Sequence, residues 1–83
     1  MIPMTLDQGR DGQVLAIKEL GNGFGSRRKL YELGIMPGER ITVLKVSQLG
    51  GPILVAVKGT EVAIGRGIAH DIEVEDLSSG PEK

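Results

Sequence analysis

One stretch decides the fold: Leu30-Tyr31-Glu32-Leu33-Gly34-Ile35-Met36-Pro37-Gly38, which is followed by three β-rich runs up to Val74. Leu30 and Leu33 share one side at helical spacing, and the hydroxyl of Ser26 suits an N-cap because it can accept from the free amides of a first turn. Gly34 suits the position after a helix, and Pro37 prevents the helix from resuming. The stretch therefore predicts a short helix that begins at Ser26.

The rest of the chain alternates between apolar runs and turn residues. Strands are predicted at 13–19, 41–46, 53–57, 61–64 and 72–74, with a one-turn helix at 68–70. The run 53–57 is apolar almost throughout, which predicts a strand buried on both faces. Short strands with one early helix favour a partly open barrel over a sandwich, because closure removes exposed edges. The predicted fold class is mainly β, a small SH3-like β-barrel of about five strands with one short α-helix between the first and second long strands.

The composition limits the size and chemistry of the protein. A chain of 83 residues has room for one domain, predicted at residues 1–76, followed by a disordered polar tail at 77–83. With one Phe, one Tyr and no Trp, the core must be aliphatic. A net charge of −1 disfavours nucleic-acid binding, and the absence of cysteine removes disulfides, thiolate metal sites and thiol catalysis.

The N-terminal residues suggest a location for the protein. They have neither the basic start nor the apolar run of a signal peptide, and no segment of the sequence is long enough to cross a bilayer. We therefore expect a cytoplasmic protein without direct membrane insertion.

Catalytic signatures are missing from the sequence. It contains no plausible Ser-His-Asp or Cys-His set, and Gly21, Gly23 and Gly25 alternate without the Gly-Lys-Ser/Thr ending of a phosphate loop. We predict that the protein is not an enzyme and that it has no cofactor.

His70 is the only histidine and invites comparison with a metal site. Asp71, Glu73 and Glu75 alternate along a predicted strand and so share one face, which we expect to be solvated. One imidazole cannot supply the ligand cluster of a tight transition-metal site. We predict no high-affinity metal site, and weak metal binding near His70 stays open.

Two surface features are candidates for partner binding. Arg27, Arg28 and Lys29 are cations in the first helical turn, where the helix dipole disfavours them. They are either a solvated basic patch or, with Tyr31, a docking surface for an acidic partner. Leu49 lies at the tip of a predicted hairpin and is either a contact residue or an ordinary exposed leucine. The candidate partner-binding residues are Arg27, Arg28, Tyr31 and Leu49.

The order of these motifs resembles the FeoA family of ferrous iron transport accessory proteins. The matching segments are residues 30–38, Ile41 and Val43, Gly51-Pro52-Ile53, Val57-Lys58-Gly59-Thr60-Glu61-Val62-Ala63-Ile64 and Ile72-Glu73-Val74, within residues 4 to 76. The resemblance implies a cytoplasmic SH3-like barrel that binds and modulates the transporter FeoB, whose cytosolic portion hydrolyses GTP. Gly65 departs from the family, whose members typically carry leucine or a similarly large residue there.

Other functions remain as alternatives to this one. The same barrel is the C-terminal domain of iron- and manganese-dependent repressors, so the chain could be a stand-alone SH3-like regulatory module. Binding of single-stranded nucleic acid is disfavoured, because Phe24 and Tyr31 are too few aromatic residues for stacking. Edge strands of a partly open barrel also allow a weak homo-oligomer.

Overall fold

The computed structural model describes residues 4–21 and 24–77, with side chains described for all of these except 24–26. The strands are β1 (Met4–Thr5), β2 (Val14–Glu19), β3 (Arg40–Val46), β4 (Ile53–Val57), β5 (Thr60–Ile64) and β6 (Glu73–Asp76). The helices are α1 (Phe24–Glu32) and α2 (Arg66–His70), and a 3₁₀ turn (Leu6–Gln8) follows β1. None of the helices in the described ranges has the length and apolar character needed to span a membrane.

The strands form one antiparallel sheet in the order β1-β6-β2-β3-β4-β5. The mainly β class is confirmed, with a short helix between the first two long strands. The sheet has six strands rather than about five, because Met4 and Thr5 pair with Val74 and Glu73. No pairing joins β1 to β5 within the described residues, so the predicted barrel closure is not confirmed and the sheet has two edges.

The aliphatic core lies on one face of the sheet. Its largest fully buried side chains are Leu6, Leu15, Ile17, Ile35, Ile41, Val43, Ile53, Val55, Val57 and Ile72. Leu30 from α1 and Ala69 from α2 pack into the same cluster. Burial of aliphatic surface contributes about 25 cal/mol per Å², so this cluster is the main source of stability.

The prediction that residues 53–57 are buried on both faces is wrong. Ile53, Val55 and Val57 are buried, whereas Leu54 and Ala56 are half-buried. Strand residues alternate between faces, and neither helix covers the outer face of β4 completely. A short apolar run is therefore compatible with one-sided burial.

The structure contradicts the predicted start of α1 and confirms its predicted end. It begins at Phe24, so Ser26 lies inside the helix and is not the predicted N-cap. A serine marks one of several possible starts, and boundaries vary by one or two residues. The predicted end is confirmed: Gly34 has a φ of 86°, and the amide of Ile35 donates to the carbonyl of Leu30 at 2.8 Å. These features form a Schellman motif.

Glycine turns join the later elements. At Pro37-Gly38 the amide of Glu39 donates to the carbonyl of Met36 at 3.0 Å, and Gly38 has a φ of 92°, as a type II turn requires. Helix α2 begins at Arg66 rather than at residue 68. These turns agree with the predicted order of elements.

Leu77, the first residue of the predicted disordered tail, follows β6 directly. The amide of Leu77 donates to the carbonyl of Val14 at 2.8 Å, so Leu77 is held against β2. Residues 78–83 of the predicted tail lie outside the described residues, and their disorder stays a prediction.

Candidate functional site

The cations of α1 are exposed and have local partners. The Nε–H of Arg27 donates to the carbonyl of Gly21 at 3.0 Å, and Nε of Arg28 lies 3.6 Å from Oε2 of Glu32. Because α1 begins at Phe24, the prediction that all three cations lie in the first turn is wrong: Lys29 lies in the last turn, where the helix dipole favours a cation. Tyr31 is 50% exposed and lies four residues after Arg27, on the same side of α1. The structure therefore brings Arg27 and Tyr31 to one surface.

Leu49 lies on a separate surface, in the loop between β3 and β4. Its side chain is 97% exposed, and it borders a hollow of about 550 Å³ together with Pro52 and Leu54. The amide of Val46 donates to Oδ1 of Asp11 at 2.9 Å, which ties the base of the loop to the segment before β2. Leu49 is thus presented on an anchored loop, apart from the candidate residues of α1.

A third surface was not predicted from the sequence. We call it the α1–β5 groove, an open groove of about 380 Å³ lined by Lys29, Leu30, Leu33, Ala63, Ile64, Gly65 and Ile68. Leu33 and Ile68 are 37% and 36% exposed, so two large aliphatic side chains meet solvent at this groove. Apart from Lys29, the residues that line the groove are aliphatic or glycine.

Leu33 and Gly65 explain why this groove is open. Leu30 and Leu33 share the apolar side of α1, but only Leu30 is buried in the core. A Cβ added at Gly65 would meet no atom within 4 Å, so a large side chain at this position would occupy open space at the groove. Glycine at position 65 therefore leaves the groove more open than a large residue would.

The surroundings of His70 do not assemble a metal site. Nδ1 of His70 lies 3.0 Å from Oδ2 of Asp7. The prediction that Asp71, Glu73 and Glu75 alternate along one strand is wrong for Asp71, which caps the C-terminus of α2, whereas Glu73 and Glu75 belong to β6. Among the described residues, no three His, Asp or Glu side chains are grouped so that they could hold a metal ion. The His70–Asp7 contact instead joins α2 to the 3₁₀ turn.

The carboxylate of Asp7 is stabilised by hydrogen bonds. Partial burial by itself would raise the pKa of Asp7, but hydrogen bonds from Thr5 and His70 outweigh it and hold the pKa below its ordinary value. Thr5 Oγ1 donates to one carboxylate oxygen and His70 lies against the other. Asp7 therefore favours the folded state in its charged form.

Replacing the carboxylate of Asp7 tests how the free energy of unfolding depends on pH. Asp7→Asn is expected to lower the free energy of unfolding by about 1 kcal/mol at neutral pH. Because folding lowers the pKa of Asp7, its stabilising effect is present above the unfolded pKa and is lost as pH falls through the folded pKa. Urea unfolding at neutral and acidic pH measures both values. If the difference in free energy of unfolding between wild type and variant stays the same at acidic pH, the stabilising role of the Asp7 carboxylate is contradicted.

Comparisons with known proteins agree with this architecture. The model of the FeoA domain matches residues 4–76. The putative Fe(2+) transport protein A of Methanocaldococcus jannaschii is 34% identical over 82 residues, which are 99% of this chain and 95% of that protein. The solution structure of the FeoA protein from Chlorobium tepidum has a TM-score of 0.86 at 30% identity, over 95% of this chain and 74% of that one.

A repressor shares the fold at lower identity. The manganese-activated repressor ScaR, in its apo form, has a TM-score of 0.80 at 22% identity. The match covers 89% of this chain and 35% of the repressor. This likeness concerns the fold alone.

Proposed function

This chain belongs to the FeoA family, and we propose that it is a small cytoplasmic accessory protein of ferrous iron uptake that binds and modulates the transporter FeoB. The observation that supports binding is the α1–β5 groove, where Leu33 and Ile68 remain exposed beside a cationic helix. Contiguous apolar side chains on a small domain commonly mark a protein contact. The chain acts through protein–protein contacts and not through catalysis.

Modulation requires a difference in affinity between states of the transporter. A bound accessory protein shifts an equilibrium only by the ratio of its affinities for the two states. The cytosolic portion of FeoB passes through nucleotide-bound and nucleotide-free states, which offer such a pair. The proposal is tested by calorimetric titration of this protein into the cytosolic portion of FeoB from the same organism. The titration is done with and without a non-hydrolysable GTP analogue. Saturable binding that depends on nucleotide is the expected result.

Arg27, Arg28, Tyr31 and Leu49 are proposed contact residues. Changing both arginines, Arg27→Glu and Arg28→Glu, is expected to weaken binding to the cytosolic portion of FeoB about tenfold, because it reverses the charge of an exposed patch. The melting temperature should change little, since both side chains are exposed. Lys18→Glu on β2 is the control for charge reversal and should bind like the wild type. Unchanged affinity of the double variant would remove these arginines from the interface.

A second candidate is a stand-alone SH3-like regulatory module, which shares with ScaR the fold and nothing more. Such a module would bind another regulatory protein instead of the transporter. Absence of binding to FeoB in either nucleotide state would favour this candidate.

A further inference from the structure

The free edge of β5 presents main-chain hydrogen-bonding groups. Residues 58–59 form a two-residue turn with positive φ angles of 52° and 78°, which makes Val57 and Thr60 the hydrogen-bonded pair beside it. Bonded and non-bonded pairs alternate along an antiparallel ladder. Glu61 and Ala63 therefore belong to non-bonded pairs and direct their N–H and C=O groups away from β4.

These outward groups have no main-chain partner among the described residues. β5 is the last strand of the sheet, and no turn or loop hydrogen bond involves Glu61 or Ala63. An edge of this kind is a template for a further strand unless something protects it. The edge is therefore available to an added strand.

The α1–β5 groove lies at the C-terminal end of this edge. Ala63 and Ile64 point to opposite faces of β5, yet both line the groove, which places the groove beside the last two residues of the strand. Leu33, the residue after α1, and Ile68 from α2 supply its apolar walls. A strand added to β5 would thus place an aliphatic side chain between Leu33 and Ile68.

The charge at the groove is positive. Among the described residues that line it, Lys29 carries the one charge, and no acidic side chain is present. Arg27, nearby on α1, contacts a carbonyl and not a carboxylate, so its charge is not neutralised by that contact. An acidic side chain on the occupant would complement this field at the Ala63 end of β5, away from the exposed carboxylate of Glu61.

We propose that the α1–β5 groove is a strand acceptor for an extended, acidic segment of a partner protein. The segment adds to the edge of β5 through Glu61 and Ala63, places an aliphatic side chain between Leu33 and Ile68, and directs an acidic side chain to Lys29. Main-chain hydrogen bonds supply affinity in this mode, and the groove supplies specificity. The inference rests on the proposed function for its partner, the cytosolic portion of FeoB.

Substitution of Ala63 tests the main-chain contact. Ala63→Pro removes an outward N–H without removing a bond to β4, and proline is tolerated at such edge positions. We expect this variant to bind the cytosolic portion of FeoB about tenfold more weakly, because one contact is lost and the added strand is displaced. Ala63→Ser keeps the N–H and is the matched control, with an expected affinity close to the wild type.

Reversal of the charge at the groove provides a second variant that leaves the strand intact. Lys29→Glu is expected to weaken the same binding about fivefold, whereas Lys18→Glu on β2 should not. Wild-type affinity in both Ala63→Pro and Lys29→Glu would overturn the strand acceptor and leave the proposed function standing.

A peptide separates the two proposals. The probe is a blocked peptide of about seven residues, with alternating valine and threonine and glutamate at both ends. Titrated into the isotope-labelled chain, it should shift the amide signals of Glu61 and Ala63 with a Kd of about 1 mM or lower, and a lysine-ended peptide should bind more weakly. No saturable shift overturns the strand acceptor. Peptide binding without any binding of FeoB supports the acceptor and contradicts the proposed function.

Discussion

Truncation of Leu15 to alanine is expected to lower the free energy of unfolding by about 2–5 kcal/mol. Leu15 is fully buried in β2, which has β3 on one side and β6 on the other. The shorter side chain loses apolar contacts and leaves a cavity that strands held on both sides cannot close. Small domains have a total stability of about 5–15 kcal/mol, so this variant loses a large part of it.

Chemical unfolding followed by far-ultraviolet circular dichroism measures the loss, since the chain has no tryptophan to report it. The control is Leu49→Ala, which makes the same chemical change at a side chain that is 97% exposed. It should alter the free energy of unfolding by no more than about 0.5 kcal/mol. Equal losses in the two variants would contradict the position of the core.

The second large effect is expected at Gly21, in the segment that leads from β2 toward α1. A Cβ at this position would overlap with the Cβ of Asp71 and would lie 3.1 Å from its carbonyl oxygen. The backbone of one segment must move to relieve this overlap, since neither atom is the end of a flexible side chain. Gly21→Ala is therefore expected to lower the free energy of unfolding by about 1–3 kcal/mol.

A control and a rescue make this prediction specific. Gly65→Ala adds the same methyl group where no atom lies within 4 Å and should leave stability unchanged or slightly higher. Asp71→Gly removes the overlapping Cβ, so it should cost less in the Gly21→Ala background than alone. A coupling of about 1 kcal/mol in the double-mutant cycle would confirm the contact, and strict additivity would contradict it.

The candidate binding residues were predictable as exposed, and their role in binding stays a prediction. Arg27, Arg28 and Tyr31 are charged or amphipathic positions beside the buried Leu30, so helical spacing alone places them outside. The exposure of Leu49 follows from its position between turn residues. The groove could not be predicted in this way, because spacing assigns Leu33 to the same apolar side as Leu30. Whether another strand or helix of the domain covers Leu33 depends on where α1 packs against the sheet.

Local residue chemistry determined the order of elements, the turns and the aliphatic character of the core. The ends and turns at Gly34, Gly38 and Gly59 need positive φ angles, a requirement that glycine meets at no steric cost and that is visible in sequence. Only the tertiary structure decided that β1 pairs with β6, that β4 is buried on one face, and that the edge of β5 opens beside α1. Each of these depends on contacts between residues far apart in the chain, and the free energy of such contacts is not contained in any local pattern.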